Sequence, residues 1–221
     1  MPRGLFVTGT DTGVGKTVVS AALIHRYRAS VALRYWKPIQ TGIEQDNDTA
    51  EVERLADCRS NELFSAGVRL PRPVSPHLAA SLSRTTIELQ PLAHSIRDED
   101  TSIRWIVEGA GGALVPINDS DTMADLMGLL GLPIVVAART ALGTINHTLL
   151  TLEALRSRAL QVAGVVMVGD PNAENRAAIE RYGRVPVLGE MPCFRPLTPG
   201  ALASWATAEL DPRRDLLELL Q

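Results

Sequence analysis

Apolar residues recur along this chain in two alternating rhythms. Short runs rich in β-branched residues are "GLFVTG" (4–9), "SVALRYW" (30–36), "IRWIVEG" (103–109), "PIVVAA" (133–138), "VAGVVMV" (162–168) and "VPVLGE" (185–190). Stretches with helical spacing lie between or beside them, near 16–27, 121–130, 146–159 and 173–182. Runs that stay apolar, instead of alternating with polar residues, suit strands whose sheet is covered by helices on both faces. The pattern predicts an α/β fold, a doubly wound and mostly parallel sheet with flanking helices, as one domain over residues 1–221. The segment 60–77, with Pro71, Pro73 and Pro76, reads as irregular chain running over the surface near the site. "RRDLLELLQ" (213–221) reads as a short amphipathic helix that packs on the body or on a partner subunit.

Composition narrows the class. Hydrophobic residues make up 45% of the 221, enough for a sizeable core. The net charge of −3 is spread along the chain, so there is no basic tract for nucleic acid and no polybasic patch for a membrane. No apolar run approaches the ~20 residues that span a bilayer. Cys58 and Cys193 are far apart and lack metal-ligand spacing, so they read as reduced thiols. With no signal-peptide layout at the start, the expectation is a cytoplasmic protein.

"VTGTDTGVGKTVVS" (7–20) carries the first chemistry. A phosphate-binding loop of the usual kind, G-x-x-x-x-G-K-[ST], would have its first glycine at position 10; here that residue is Thr10 and the glycine is Gly9. The context is nevertheless the required one, a strand, a glycine-rich turn and a helix. Backbone amides over Gly13, Val14, Gly15, Lys16, Thr17 and Val18 would face phosphate oxygens. Lys16 would reach the β- and γ-phosphates, and the Thr17 hydroxyl would ligate Mg²⁺. That makes the fold one of the P-loop nucleoside triphosphate hydrolase type.

Three further positions fit the same crevice. Glu108, in "VEGAGG", ends a strand where a carboxylate on the metal side belongs, and Gly109, Ala110 and Gly111 allow backbone to approach a bound group. Lys37, in "YWKPIQTG", follows a strand and would add a second cation. Asp46 and Asp48 precede a helix, and their spacing is equally that of helix caps or of an oxygen ligand for Mg²⁺. "ALGTINHTLL" (141–150) puts a Leu142-Gly143 turn before a helix whose first amides could hold a carboxylate, and His147 reads as a residue of that helix's first turn. No Ser-His-Asp, Cys-His or zinc spacing is present.

In order, "FVTGTDTGVGKT", "KPIQTG", "SPHLAA", "VEGAGG", "LGTINHTLLT" and "PVLGEMP" closely resemble the landmarks of dethiobiotin synthetase, over residues 6–192. In that family the shifted glycine is the normal form of the loop. The resemblance implies a seven-stranded parallel sheet and a homodimer with sites at the subunit interface. It also implies ATP-dependent ring closure of 7,8-diaminopelargonic acid with CO₂, through a carbamate and its phosphoric anhydride. Carried over residue by residue, it gives Lys16 and Lys37 the catalytic cations and gives Mg²⁺ to Thr17, Asp48 and Glu108, selecting Asp48 over Asp46. Thr41 and Lys37 would contact the diamine or carbamate. Gly143, Thr144, Ile145 and Asn146 of the other subunit would receive the distal carboxylate. Pro192, Cys193 and Phe194 would lie by the base and ribose. Many members read adenine with an asparagine after the strand matched by "GVVM"; here Val168 and Gly169 stand there, with Asn172 and Asn175 the nearest amides.

Two other classes share parts of this pattern. Partition and cell-division ATPases carry a signature lysine early in the loop, where this chain has Thr10, Asp11 and Thr12. A small-molecule kinase needs an arginine-rich lid, for which Arg69, Arg72 and Arg84 are available. Neither accounts for KPIQTG and VEGAGG together.

Overall fold

A computed structural model describes every residue except Met1 and Asp98. The chain enters on β1 (Arg3–Gly9) and turns directly into α1 (Lys16–Tyr27). β2 (Leu33–Trp36), β3 (Ile39–Thr41), α2 (Asp48–Ala56), β4 (Leu63–Phe64) and β5 (Val68–Leu70) follow. Next come α3 (Pro76–Leu82), α4 (Leu89–His94), β6 (Arg104–Gly112), α5 (Met123–Leu130) and β7 (Ile134–Arg139). The last part is α6 (Thr144–Arg156), β8 (Val162–Val168), α7 (Ala173–Gly183), β9 (Val187–Met191), α8 (Pro199–Ala208) and α9 (Asp215–Leu220).

Seven strands form one sheet in the order β4-β2-β6-β1-β7-β8-β9, with every neighbouring pair parallel. The sheet alternation splits the core in two. Leu5 and Val7 face a layer made by α1, α2, α8 and α9, while Phe6 faces α3 to α7. Both layers are largely apolar at the sheet, with Thr8 and Glu108 as buried polar exceptions near the strand ends, so the strands read as near-continuous hydrophobic runs. Leu216 and Leu220 are buried, so α9 packs on the body as its amphipathic pattern requires.

The strands and helices offered by the sequence pattern lie close to their expected bounds, while β3, α3, α4 and α8 are additional to it; three differences are informative. β2 starts only at Leu33, because the amides of Ser30 and Val31 bond back to Tyr27 O and close α1. β6 runs on through Gly112, since its glycines let it stay beside β1, with Gly9 opposite Gly112. The segment 60–77 is not wholly irregular. It holds β4, an edge strand of the sheet, and β5, which pairs in parallel with β3. These strands are two and three residues long, too short for period-2 alternation to register.

The carboxyl ends of β1, β2 and β6 meet where the chain leaves β1 for one side of the sheet and β6 for the other. In open parallel sheets this is where ligands bind.

Candidate active site

The phosphate loop is shaped by its glycines. Gly13 and Gly15 have φ of 69° and 94°, a left-handed backbone that side chains disfavour. Gly9 answers a different need. A Cβ there would lie 2.6 Å from Val14 Cγ2 and 2.9 Å from Asp11 O, so the loop folds back over this residue and leaves it no side chain. Val14 is buried in the core, which leaves only its backbone to a ligand. Gly15 caps α1 without a side-chain hydrogen bond, so no side chain caps the helix's first amides. Arg139 Nη2 donates to Thr12 O at 3.1 Å and steadies the crest of the loop.

Lys16 is 7% exposed and donates from Nζ to Asp11 O at 3.0 Å. Burial lowers its pKa to about 8, and the positive charge of Lys37 pushes the same way, against Glu108, Asp48 and Asp11. This amine lacks a full counter-charge of its own and is suited to an incoming anion.

Lys37 has the opposite surroundings. It is 2% exposed, and its Nζ lies 2.6 Å from Asp48 Oδ2, 2.7 Å from Glu108 Oε1 and 3.0 Å from Gly109 O. Burial works against its charge, but Glu108 and Asp48 outweigh burial and raise its pKa. Asp48 is lowered in turn: burial opposes this, and Lys37, then Thr17 and Lys16, prevail. The pairing follows from sheet register. Tyr35 and Trp36 stand opposite Ile106 and Val107, so continuing both strands brings Lys37 beside Glu108.

Glu108 is fully buried, with donors on both oxygens. Oε1 faces Lys37 and the Thr17 hydroxyl, the latter at 3.1 Å; Oε2 accepts from Tyr35 OH at 2.9 Å and Ser20 Oγ at 3.1 Å. Thr17 Oγ1 is also 3.0 Å from Asp48 Oδ1, and its single proton serves one carboxylate at a time. The helix cap offered by the sequence falls on neither aspartate. Asn47 caps α2, accepting from Ala50 N, which leaves the Asp48 carboxylate free to face Thr17 and Lys37. Gln40 holds Asp48 from behind, with Oε1 accepting from Asp48 N at 3.3 Å.

These groups line one cavity of roughly 710 Å³, together with Gly13, Gly15, Val18, Thr41, Asp46, Ala110 and Gly111. Pro73 to Pro76 also line it, so the proline-rich end of 60–77 does border the cavity. Other expected residues lie elsewhere. Gly143, Thr144, Ile145 and Asn146 open α6 and do not line this cavity. Val168 packs its side chain against Gly15, within 3.2 Å of where a Cβ would sit. Gly169 follows with φ 140°, pressed against Thr140. Pro192, Cys193 and Phe194 leave β9, and Phe194 packs on the α1 side of the core. Each nearby asparagine has one end engaged: Asn172 Oδ1 caps α7, and Asn175 Nδ2 donates to Thr140 O at 2.9 Å.

Ser20, Tyr35, Gln40 and Arg139 were not singled out by the sequence. The one available signal was spacing: Ser20 is four residues after Lys16 on a helix, and Tyr35 two before Lys37 on a strand.

A family model described as an AAA domain matches residues 3–201. The ATP-dependent dethiobiotin synthetase BioD of Paramagnetospirillum magneticum is 49% identical over 201 residues, covering 91% of this chain and 93% of the relative. That of Brucella ovis is 46% identical over 202 residues, covering 91% and 92%. The biotin biosynthesis bifunctional protein BioCD of Bordetella avium is 48% identical over 206 residues; they cover 93% of this chain but only 43% of that longer protein. Among solved structures, the MinC:MinD cell division protein complex of Aquifex aeolicus aligns with a TM-score of 0.60 at 14% identity, over 98% of this chain and 96% of that one. That likeness is one of fold. Near-half identity along almost the full length of both chains carries the assignment: this chain belongs to the ATP-dependent dethiobiotin synthetase family, built on the P-loop ATPase fold.

Proposed function

We propose that the protein uses ATP to close 7,8-diaminopelargonic acid and CO₂ into dethiobiotin, releasing ADP and phosphate, with residues 1–221 acting as one unit in the cytoplasm. The observation that carries this reading is Lys37, a buried cation held between Asp48 and Glu108 in the cavity that also holds Lys16. One substrate amine adds to CO₂ and loses a proton, giving a carbamate. A carbamate oxygen then attacks the γ-phosphorus and ADP leaves. The neighbouring amine attacks the carbamate carbon, the C–O bond to phosphate breaks, and the cyclic urea forms.

The second step brings two anions together, so fixed positive charge where they meet lowers its barrier. The loop amides and Lys16 bind the phosphates, and Lys37 faces the γ-phosphoryl group and the carbamate. Thr41, which lines the same cavity as Lys37, would hydrogen-bond the diamine or carbamate. Holding both reactants in one pose supplies much of the rate.

The donor set suits Mg²⁺. Thr17, Asp48 and Glu108 offer a hydroxyl and two carboxylates around one point, hard oxygen ligands of the type Mg²⁺ takes. No group of three or more His, Cys, Asp or Glu gathers among the described residues, so a cation here would complete its shell with phosphate oxygens. Bound there, Mg²⁺ would neutralise charge on the β- and γ-phosphates.

A homodimer completes the reading. The start of α6 does not line its own subunit's cavity, and Leu142, Leu114 and Leu150 are exposed. A groove of roughly 400 Å³ between Thr10–Thr12, Gly112–Pro116 and α6 borders two of these leucines. A second copy covering that face would bring Gly143–Asn146 towards the substrate's carboxylate. No helix among the described residues is long and apolar enough to cross a membrane.

The test is to incubate the protein with diaminopelargonic acid, labelled bicarbonate, Mg²⁺ and each nucleoside triphosphate in turn. Mass spectrometry should find labelled dethiobiotin with ATP. Nucleotide hydrolysis with no dethiobiotin under any condition contradicts the reading.

A further inference from the structure

We infer that Tyr35 is a positioning residue for Glu108, fixing which carboxylate oxygen faces the nucleotide cavity; this rests on the metal and phosphoryl-transfer reading above. The two oxygens of Glu108 have separate tasks. Oε1 faces the cavity groups, Thr17 and Lys37, while Oε2 points into the protein towards Tyr35 and Ser20. A carboxylate brings no proton, so each of these contacts must be made by a donor.

The two inner donors are not equivalent. Ser20 Oγ has one hydrogen and two acceptors within reach, Glu108 Oε2 at 3.1 Å and Lys16 O at 2.9 Å. Tyr35 OH has Glu108 as its only hydrogen-bonding partner among the described residues, at 2.9 Å, and the ring is fully buried in the layer under α1. Tyr35 is therefore the one dedicated donor to Oε2. Strand geometry explains its reach: Tyr35 and Lys37 lie two apart, on the same face of the strand's course, one holding each oxygen of Glu108.

Without the Tyr35 hydroxyl, Oε2 would be left buried with a shared serine hydrogen. Rotating the carboxylate to bring both oxygens towards the Lys37 ammonium would relieve this. That rotation withdraws Oε1 from the point it shares with Thr17 and Asp48, and draws Lys37 away from the cavity. Residues that orient a metal ligand typically alter affinity or activity by about 10–100-fold when changed.

The test is Tyr35→Phe, which removes one oxygen and keeps the ring. Mn²⁺ binding to the ADP complex, followed by electron paramagnetic resonance, should weaken by about 10-fold, and kcat should fall with KM for the diamine near its wild-type value. Metal-free ADP affinity should not change. Ser20→Ala, the control, should keep Mn²⁺ affinity within about twofold, because its hydrogen is already shared. Unchanged Mn²⁺ affinity with a lowered melting temperature would overturn the inference and leave Tyr35 a core residue only. If wild-type protein gains no Mn²⁺ site when ADP binds, the metal reading fails instead, a separate outcome. Should Tyr35→Phe not fold, 3-fluorotyrosine labelling of the three tyrosines provides the alternative. The Tyr35 fluorine, assigned with Tyr182→Phe and Tyr27→Phe, must shift when Mg²⁺ is added to the ADP complex; a static signal overturns the inference.

Discussion

Replacing Lys37 by methionine removes one positive charge while keeping most of the side chain's length. In the folded protein that charge faces Asp48 at 2.6 Å and Glu108 at 2.7 Å, with Glu108 fully buried and the Asp48 side chain 18% exposed. Removing one partner of a buried ion pair typically costs 3–5 kcal/mol, because a charge remains without compensation. Partial solvation of Asp48 argues for the lower end, about 3 kcal/mol, which for a chain of this size is a fall of roughly 6–12 °C in melting temperature. The sign of the pH dependence is also fixed. In the wild type, the depressed Asp48 pKa contributes stability above the unfolded value of 3.8 that is lost as pH falls through the folded one. In the variant the carboxylates repel at neutral pH, so its deficit should shrink as acid protonates one of them. Mg-ADP should narrow the gap too, by bringing a cation to the same carboxylates. Turnover should fall by about 10²–10³-fold or more, the usual loss when a group stabilising transition-state charge is removed, with ADP affinity largely kept. Calorimetry from pH 5 to 8, with and without Mg-ADP, and steady-state kinetics provide the readouts. A variant as stable as wild type at pH 7, with kcat within twofold, would refute this reasoning.

Other outcomes follow from the same geometry. Lys16 has a pKa of about 8 before nucleotide arrives and binds phosphate protonated, so ADP affinity should be level below pH 8 and weaken by up to about tenfold per unit above it; calorimetric titration from pH 7 to 9.5 checks this, and a flat profile contradicts it. Tyr27→Phe removes the hydroxyl that donates to the buried Asp211, which keeps only the amides of Asp215 and Leu216 on its carboxylate, and should cost about 1–3 kcal/mol of stability without changing kcat. Gly169→Ala would force a Cβ to 2.2 Å from Thr140 Oγ1 at φ 140°, so it should lower the melting temperature and disturb the end of β8; a neutral result would show that this turn shifts easily. With no side-chain amide at position 168 and one Asn175 Nδ2 hydrogen taken by Thr140 O, dissociation constants for ADP, GDP and CDP should agree within about tenfold. Strong adenine preference in competition titrations would locate a base reader elsewhere.

The sheet was legible because buried parallel strands and amphipathic helices leave different periods, and α1 and β8 fall where those periods change. The short strands β4 and β5 were not, since two or three residues carry no period. Lys16, Thr17, Lys37 and Glu108 could be grouped from strand ends and a glycine-rich turn, and they line one cavity. Sequence spacing could not separate Asp46 from Asp48, and the resemblance selected Asp48; in the fold Asn47 takes the cap and the Asp48 carboxylate faces Thr17. Ser20 and Tyr35 were invisible for a physical reason. Tyr35 reaches Glu108 across a sheet register and Ser20 across the packing of α1 on the sheet, joining residues 73 and 88 positions apart, and their local spacing from Lys37 and Lys16 does not encode either contact.

We propose that a carbamate oxygen attacks phosphorus in the cavity that holds Lys16, Lys37 and Glu108. Single-turnover reaction with ¹⁸O-labelled CO₂, quenched before the label exchanges with water, tests it directly. Ring closure breaks the bond between the carbamate carbon and the bridging oxygen, so one labelled oxygen must leave in the inorganic phosphate, in step with dethiobiotin. Phosphate free of label, or released without dethiobiotin, would show that water and not the carbamate accepts the phosphoryl group, and would contradict the account.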